Sequence, residues 1–265
     1  MDRSRALGVE RLDAMLLLAH HLSRSREWVL AHPEATLDAD AQMRFDADCR
    51  RRADDVPLAY LTGEREFHGL ALRVGPAVLV PRPDTETLAD WAIERIAALP
   101  DAPRPRVVDL GTGSGALALA IAAACPQADV IATDVSGEAL AIAAGNAQRL
   151  GLRVRFCCGD WWHAVEGERF DLALSNPPYV AADDPHMSAL RHEPREALIA
   201  GDDGLAALRQ IVSGARAHGA GWLLLEHGWN QADAVHNLLS QAGFTNIETR
   251  RDLHGQTRCT GGRPP

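Results

Sequence analysis

The chain of 265 residues is long enough for one large domain or two modest ones with a sizeable hydrophobic core. Its 46% hydrophobic and 24% charged residues are ordinary for a soluble globular protein, and no apolar run approaches the length of a membrane span. The formal net charge of −9 disfavours a protein whose main partner is a naked nucleic acid, because such proteins usually present a basic stripe to the phosphates.

The N-terminal segment and the cysteines indicate the compartment. The residues "MDRSRALGVERLD" mix acidic residues with arginines and lack an apolar segment, so they predict neither a secretory nor a mitochondrial signal. The five cysteines are odd in number and have no metal-ligand spacing, and the adjacent Cys157 and Cys158 are interpreted as strand residues. We therefore expect a cytoplasmic protein without a metal site.

The first part of the chain has the periodicity of three short helices, over residues 9–22, 26–32 and 38–53. Ser25 is placed to cap the second of them. The residues expected on the inner faces of the first and third helices are Val9, Leu12, Met15, Leu16, Ala19, Leu22, Ala41, Phe45 and Cys49. One apolar stripe on each helix predicts a small helical bundle, which we assign to residues 1–65.

Residues 66–83 predict a β-hairpin that links the bundle to the rest of the chain. Leu70, Leu72 and Val74 alternate along a first strand, as expected where one face of a strand is buried. The following "GP" predicts the turn, and residues 78–80 predict the returning strand.

Residues 84–265 begin with a helix whose capping turn is "DTE" and continue as alternating strands and helices. Such alternation predicts a parallel sheet with right-handed crossovers. The predicted strands are "RVVDL", "DVIATD", "RVRFCC", "FDLALS" and "GWLLLEHG", with a closing pair in "FTNIETRRDLHGQTRCTGGR". The expected fold class is α/β, with a doubly wound, mostly parallel sheet of seven strands.

The turn after the first of these strands contains Gly111, Gly113 and Gly115. Glycines there permit a tight turn and a close approach of the backbone, and the helix that follows offers free N–H groups. Asp134 ends the next strand, where its carboxylate can accept both hydroxyls of a ribose. The pattern predicts an adenosine-containing cofactor, and it fits a dinucleotide as well. Asp109 could contact an amine of the cofactor or could cap the loop.

The segment Asn176-Pro177-Pro178-Tyr179 distinguishes between the possible cofactors. The nitrogen of a planar NH2 group is a weak nucleophile, because its lone pair is delocalised. The Asn176 oxygen and the Pro177 carbonyl can accept its two N–H bonds, and Tyr179 can stack on its plane. The segment therefore predicts methyl transfer, with Asn176, Pro177 and Tyr179 as catalytic residues. A proline-rich turn in which Asn176 only caps the chain is the alternative.

Several further motifs identify a family. The motifs "PLAYLTGEREFHGL", "VLVPRPDTE", "DLGTGSG", "GDWW", "SNPPYV", "EPREAL", "LLLEHGW" and "RDLHGQTR" together resemble the bacterial release-factor glutamine methyltransferase family, HemK/PrmC, over nearly the whole chain. The resemblance implies a Rossmann-like class I methyltransferase domain at 84–265 that uses S-adenosylmethionine. It also implies that the methyl acceptor is the glutamine of the Gly-Gly-Gln loop in peptide-chain release factors 1 and 2.

The resemblance also implies the roles of particular residues. Those expected against the cofactor are Gly111, Thr112, Gly113, Ser114, Gly115, Asp134, Asp160, Trp161 and Asn176. Those expected to hold the glutamine are Asn176, Pro177, Pro178 and Tyr179. For Trp161, core packing is the alternative interpretation. The helices at 1–65 become a docking platform for the protein substrate, or they only buttress the catalytic domain, and we expect a monomer.

Three rival functions stay open. A close relative within the family acts on a glutamine of a large-subunit ribosomal protein, and "NPPY" also resembles amino-group methyltransferases of DNA or RNA. A cofactor-binding accessory protein is the non-enzymatic rival. We assign no base to His68, His163 or His227, because the proposed chemistry needs none. Arg82 and Glu86 either line the substrate entrance or form a buried pair.

Overall fold

The computed structural model describes residues 7–99 and 104–265, so the start of the predicted bundle at residues 1–6 lies outside the described residues. The chain divides into two units, of which the first ends at Glu64 and the second begins at Arg65. Within the described ranges, no helix is long and apolar enough to cross a membrane.

In the described residues 7–64, the first unit contains four helices. They are α1 (Arg11–Leu22), α2 (Arg26–Ala31), α3 (Ala39–Ala53) and α4 (Leu58–Thr62). The three predicted helices are confirmed, and the Ser25 hydroxyl caps α2 by accepting a hydrogen bond from the Trp28 N–H. The fourth helix was not predicted, because its five residues are too few to reveal a period.

The buried face of α1 differs in part from the predicted one. Leu12 is 46% exposed, whereas Ala14 and Leu17 are fully buried and pack with Phe45 of α3. Apolar residues occupy most positions of α1, so more than one face has helical spacing. Packing against α3 and α4 selects the face, and the sequence of α1 alone does not.

The predicted hairpin is wrong in its second strand. The hairpin consists of β1 (Glu64–Phe67) and β2 (Leu70–Arg73), joined by a turn in which His68 and Gly69 both have positive φ angles. Residues 78–80 form no strand. The Val80 N–H instead donates to a buried Glu193 carboxylate oxygen at 3.0 Å, so a distant side chain satisfies the backbone that a strand partner would have satisfied.

The second unit contains the predicted seven-stranded sheet. Its strands are β3 (Arg106–Leu110), β4 (Asp129–Asp134), β5 (Arg155–Cys158), β6 (Leu172–Ser175), β7 (Trp222–Glu226), β8 (Thr245–Arg251) and β9 (Thr257–Arg263). They lie in the order β5-β4-β3-β6-β7-β9-β8, and β9 runs antiparallel to both of its neighbours. The α/β fold class predicted from the sequence is confirmed.

Helices cover both faces of this sheet. The helices of the second unit are α5 (Glu86–Ala97), α6 (Ala116–Ala124), α7 (Gly137–Leu150), α8 (Ala206–Ala215) and α9 (Ala232–Gln241), with short 3-10 helices at Pro83–Thr85, Trp161–Val165, Pro185–Leu190 and Arg195–Ala197. Along the strands, side chains alternate between two cores. One core contains α5 and α6, and the other contains α8 and α9. Helix α8 was not predicted.

The strand order creates a crevice between β3 and β6. These strands are adjacent and parallel, with Val107 opposite Leu172 and Asp109 opposite Leu174. The chain continues from β3 towards β4 on one side, whereas β7 lies on the other side of β6. Ligands of doubly wound folds bind at such a switch point, beyond the carboxyl ends of the strands.

A buried asparagine on α7 ties this crevice to the hairpin. Asn146 is fully buried, and its Oδ1 accepts from the Arg73 N–H at 2.7 Å. Its Nδ2 donates to the carbonyls of Arg73 and Ser114, at 2.9 Å and 3.0 Å. One side chain therefore satisfies backbone groups of both β2 and the glycine loop.

Replacing Asn146 with alanine is expected to lower the free energy of unfolding by about 2–4 kcal/mol, because three backbone groups lose their partner. Urea denaturation measures the change. Gln148→Ala is the matched control, since Gln148 lies on the same helix with an exposed side chain and should change stability by less than about 0.5 kcal/mol. Equal losses in the two variants would contradict the role of Asn146.

Candidate active site

A cavity of about 400 Å³ opens at the crevice between β3 and β6. A volume of this size is typical of a site for a small molecule or cofactor. The predicted site residues that line it are Gly111, Thr112, Gly113, Ser114, Asp134, Asp160, Trp161, Asn176 and Pro178. Residues that lie far apart in the sequence thus meet at the carboxyl edge of the sheet.

The glycine loop is anchored on the neighbouring strand. The Gly111 and Thr112 N–H groups both donate to the Thr133 carbonyl of β4, at 2.9 Å and 2.8 Å. Gly115 does not line the cavity in the described part of the chain. A Cβ there would lie 3.0 Å from Leu119 and 3.2 Å from Ala143, so this glycine permits the close packing of α6 on α7.

Asp134 holds the loop from the end of β4. One carboxylate oxygen accepts from the Gly113 N–H and the other from the Ser136 N–H, both at 2.9 Å. Each oxygen has a further lone pair, and the side chain is only partly buried. Asp134 can therefore accept additional hydrogen bonds from a ligand in the cavity while it continues to hold the loop.

The two tryptophans of "GDWW" have different environments. Trp162 is buried and donates to the Ile211 carbonyl, as a core residue does. Trp161 lines the cavity, and its Nε1–H donates to Gln210 of α8 at 2.8 Å. Its backbone has a φ of 44°, a strained angle for an aromatic residue. A Cβ on Gly111 would lie 3.0 Å from the Trp161 ring, so a glycine is needed there.

Asp109 lies below the glycine loop and does not line the cavity. It is fully buried, and its Oδ2 accepts from the Thr112 hydroxyl at 2.6 Å. Within the described residues its Oδ1 has no hydrogen-bond partner. Burial raises the pKa of Asp109 to about 7. The contact with Thr112 favours the loop-capping interpretation of this residue.

A second cavity of about 150 Å³ adjoins the first on the other side of Asn176. The residues that line it are Leu79, Arg82, Asn176, Pro177, Tyr179, Val180, Leu190, Ala197 and Leu198. Asn176 lines both cavities and donates through Nδ2 to the Thr85 hydroxyl at 3.2 Å. With Nδ2 engaged there, its Oδ1 is the acceptor that remains for a ligand.

Tyr179 is held by a buried carboxyl. Its hydroxyl donates to Glu226 Oε1 at 3.3 Å, and its backbone carbonyl accepts from Gln231 at 3.1 Å. Burial and the neighbouring Glu226 raise the pKa of Tyr179 well above its ordinary value, so the phenol stays protonated. Burial also raises the pKa of Glu226 to about 7.

The predicted alternative of a buried Arg82–Glu86 pair is wrong. Arg82 forms an ion pair with Glu193, whereas Glu86 accepts a hydrogen bond from the His68 N–H at 3.1 Å. Arg82 lines both cavities, which supports its placement at the substrate entrance. Glu193 binds both Arg82 and the Val80 N–H. It therefore holds the segment at residues 79–82, in which Leu79 and Arg82 line both cavities.

The three histidines that were set aside as bases lie away from both cavities. His68 contacts Asp90 at 2.9 Å, and His163 is exposed. His227 is fully buried and contacts the Thr260 hydroxyl at 2.8 Å. Burial lowers the pKa of His227, so it is held neutral.

Four residues of the site have roles that the sequence did not reveal: Thr85, Glu193, Gln210 and Glu226. Thr85, Glu193 and Glu226 occur in motifs that were singled out, but Thr85 was interpreted only as a helix cap. Glu193, Gln210 and Glu226 have ordinary polar side chains, and each finds its partner through a long-range contact. No local sequence pattern predicts contacts of this kind.

Two family models match the chain. Residues 3–63 match the PrmC N-terminal domain, and residues 95–198 match the Methyltransferase small domain. The two matches fall in the helical first unit and in the sheet-containing second unit.

Full-length relatives show the same similarity. The release factor glutamine methyltransferase of Bordetella pertussis is 48% identical over 260 residues, which cover 96% of this chain and 95% of the relative. That of Xylella fastidiosa is 50% identical over 262 residues, which cover 97% and 94%. A T. Thermophilus 16S rRNA methyltransferase, solved in complex with AdoMet and guanosine, has a TM-score of 0.57 at 19% identity over 76% of this chain and 50% of that chain. This structural similarity shows that the chain has the class I methyltransferase fold.

Asp109 makes the stability of the protein depend on pH. Its pKa is about 7 in the folded chain and 3.8 without burial, so between these values the folded state holds a proton that the unfolded state has released. Stability therefore falls as the pH rises through this window. Asp109→Asn should reduce the fall between pH 5 and pH 8 by about 2–4 kcal/mol, since a neutral amide does not titrate.

Denaturation at several pH values measures how steeply stability falls with pH. A loss of stability that the new amide causes equally at every pH does not change this slope. Glu226 contributes in the same direction, so part of the slope should persist. Asp233→Asn, at an exposed aspartate of α9, is the matched control and should keep the wild-type slope. An Asp109→Asn variant with the full slope would refute the protonated buried carboxyl.

Proposed function

The chain belongs to the release factor glutamine methyltransferase family, and we propose that it methylates the side-chain amide nitrogen of the glutamine in the Gly-Gly-Gln loop of class I peptide-chain release factors, with S-adenosylmethionine as methyl donor. One observation carries this proposal for the site. Asn176 lies where the large cavity beside the glycine loop meets the small cavity beside Pro177 and Tyr179. An acceptor at that junction can touch a group of the substrate that faces the cofactor.

The large cavity fits S-adenosylmethionine. When bound, this cofactor supplies an electrophilic methyl group on a positively charged sulfur. Asp134 offers carboxylate lone pairs to the ribose hydroxyls, and the Trp161 ring offers an apolar face to the adenine. The exposed Asp160 carboxylate is the matching acceptor for the adenine amino group. The glycine loop leads into α6, and the amino end of that helix lies at the cavity, where it meets the remaining part of the ligand.

The small cavity suits a carboxamide side chain. Its lining is mainly apolar, with the polar groups of Asn176, Arg82 and Tyr179 at one side. Asn176 Oδ1 and the Pro177 carbonyl would accept the two N–H bonds of the glutamine amide. Prolines suit this position because they stiffen the turn and contribute acceptors only.

The residues of the site act by alignment. With both N–H bonds held by acceptors, the amide nitrogen becomes more tetrahedral, and its lone pair turns towards the electrophilic carbon. The nitrogen would take the methyl group as the sulfur–methyl bond breaks and leaves neutral S-adenosylhomocysteine. The cationic nitrogen would then release one proton to water, so no strong base is needed. Alignment of this kind can contribute about 7–11 kcal/mol in favourable cases.

We assign the docking of the protein substrate to the helical first unit. It matches the PrmC N-terminal domain over residues 3–63 and exposes large apolar side chains on each of its first three helices. These side chains are Leu12, Leu30 and Met43. A substrate that acts in translation places the enzyme in the cytoplasm, and we propose that it works as a monomer.

The assay for this function is mass spectrometry of Gly-Gly-Gln peptides from purified release factor, after incubation with the enzyme and S-adenosylmethionine. We expect a mass increase of one methyl group on the glutamine. A purified large-subunit ribosomal protein and ribosomal RNA, incubated in parallel, represent the rival substrates. Methylation of either one instead of the release factor would overturn the proposed substrate.

Asn176→Ala should lower the turnover of release-factor methylation by about tenfold to a hundredfold, because one N–H of the substrate loses its acceptor at a cost of about 1–3 kcal/mol. Cofactor affinity, measured by calorimetry, should stay near the wild-type value. Asn237→Ala, at an exposed asparagine of α9, is the control and should keep full turnover. Near-normal turnover in Asn176→Ala would remove this residue from the mechanism.

Asp134→Asn should raise the dissociation constant for S-adenosylmethionine by about tenfold or more and change saturated turnover far less. The amide offers one acceptor oxygen, whereas the Gly113 and Ser136 N–H groups and the ribose need both. Asp129→Asn is the matched control, because Asp129 begins the strand that Asp134 ends and does not line the cavity in the described chain. A variant with reduced turnover but unchanged affinity would contradict the ribose assignment.

A further inference from the structure

We propose that Thr85 and Glu226 are positioning residues that set the orientation of the Asn176 side-chain amide, so that its oxygen faces the methyl acceptor. The inference rests on the proposed function, because the orientation matters only if Asn176 must accept a hydrogen bond from a substrate NH2 group.

The orientation of an asparagine amide is not decided by shape. Its oxygen and its NH2 group are almost equal in size, so hydrogen-bond partners determine which of them points in a given direction. If the Asn176 amide were turned over, its NH2 group would face the NH2 group of the glutamine. Two sets of donors would then oppose each other, and the substrate nitrogen would have no acceptor on this side.

Thr85 is the partner that holds the Asn176 amide. Its hydroxyl lies 3.2 Å from Asn176 Nδ2, and Thr85 is only 4% exposed. A hydroxyl has one hydrogen and two lone pairs, so it can hold either end of an amide. It selects the NH2 end only if its own hydrogen is committed to another acceptor.

Glu226 is that acceptor. It is 1% exposed, and its carboxyl group interacts with the Thr85 hydroxyl. An ionised carboxylate accepts hydrogen bonds and donates none. The hydrogen of Thr85 therefore points to Glu226, and a lone pair of Thr85 points to Asn176. Burial raises the pKa of Glu226 to about 7, and the positive charge of Arg258 on β9 opposes that shift, so the ionised form predominates above neutral pH.

The same carboxylate also holds the ring of Tyr179, whose hydroxyl donates to Glu226 Oε1 at 3.3 Å. Sheet register explains why Glu226 reaches this place. Ser175 of β6 pairs with Leu225 of β7, so the next residues along the two parallel strands are Asn176 and Glu226. One buried carboxylate thus sets two of the residues that are expected to hold the glutamine.

The test compares four variants of the full-length enzyme, at Thr85, Thr260 and Glu226. Thr85→Val keeps the shape of the side chain but removes the hydroxyl, and Thr85→Ser retains it. Thr260→Val is the matched control, because Thr260 is equally buried and binds His227 and Thr249 away from both cavities. Thr85→Val and Thr260→Val should lose similar stability in urea denaturation.

Of the two valine variants, only Thr85→Val should lose catalysis. We expect its kcat on release factor to fall by about tenfold or more, because a misplaced group at a reacting centre can cost about a hundredfold. The dissociation constant for S-adenosylmethionine should stay within about twofold of wild type, since the contact affects the acceptor side. Thr85→Ser should regain most of kcat. The kcat of Glu226→Gln should fall as that of Thr85→Val does, because the NH2 group of the new glutamine can donate to Thr85 and turn the Thr85 hydroxyl hydrogen towards Asn176.

A second measurement tests the orientation without any activity. In ¹⁵N-labelled enzyme, the Asn176 side-chain NH2 protons should exchange slowly with solvent in wild type and Thr85→Ser, and at least about tenfold faster in Thr85→Val, where the partner is gone. If the wild-type enzyme methylates no release factor, the proposed function fails, while this measurement still reports whether Thr85 holds the Asn176 amide. Unchanged exchange in Thr85→Val, or a Thr85→Ser variant no more active than Thr85→Val, would overturn the positioning role.

Discussion

The parallel pairing of β3 with β6 is the contact on which the site depends. It places the end of one strand, where the glycine loop begins, beside the end of another, where Asn176 begins the proline turn. Neither segment lines the cavities alone, because the glycine loop contributes to the larger cavity and the proline turn contributes to both. Their adjacency creates a larger and a smaller cavity that share Asn176.

Buried carboxyl groups hold this arrangement in place. Asp109 accepts a hydrogen bond from Thr112 of the glycine loop. Glu193 pairs with Arg82, and Glu226 accepts a hydrogen bond from the Tyr179 hydroxyl. Burying such groups costs stability, as the raised pKa values of Asp109 and Glu226 indicate. Proteins concentrate such costs at functional sites, where the geometry of a few polar atoms decides whether the reaction occurs.

Two errors of the sequence predictions, at Leu12 and at residues 78–80, have the same cause, which is a long-range contact. Leu12 was expected to be buried, but α1 is apolar on several sides and the helices packed against it select another face. Residues 78–80 were expected to pair as a strand, but Glu193, more than a hundred residues away, takes the Val80 N–H. Apart from helix α8, which was not predicted, the alternating strands and helices after residue 104 were predicted correctly, because each of them has a strong pattern of its own.

The sequence by itself determined the α/β class, the glycine loop, the acid at the end of the second strand of the sheet and the asparagine-proline turn, since these are local patterns that act within a few residues. Only the tertiary structure decided which groups face them. The contact between Asn176 and Thr85 spans 91 positions, and the pairing of β6 with β7 brings Glu226 beside both. Hydrogen bonds of this kind depend on angstrom-scale proximity between distant segments, which folding creates and a linear pattern does not contain.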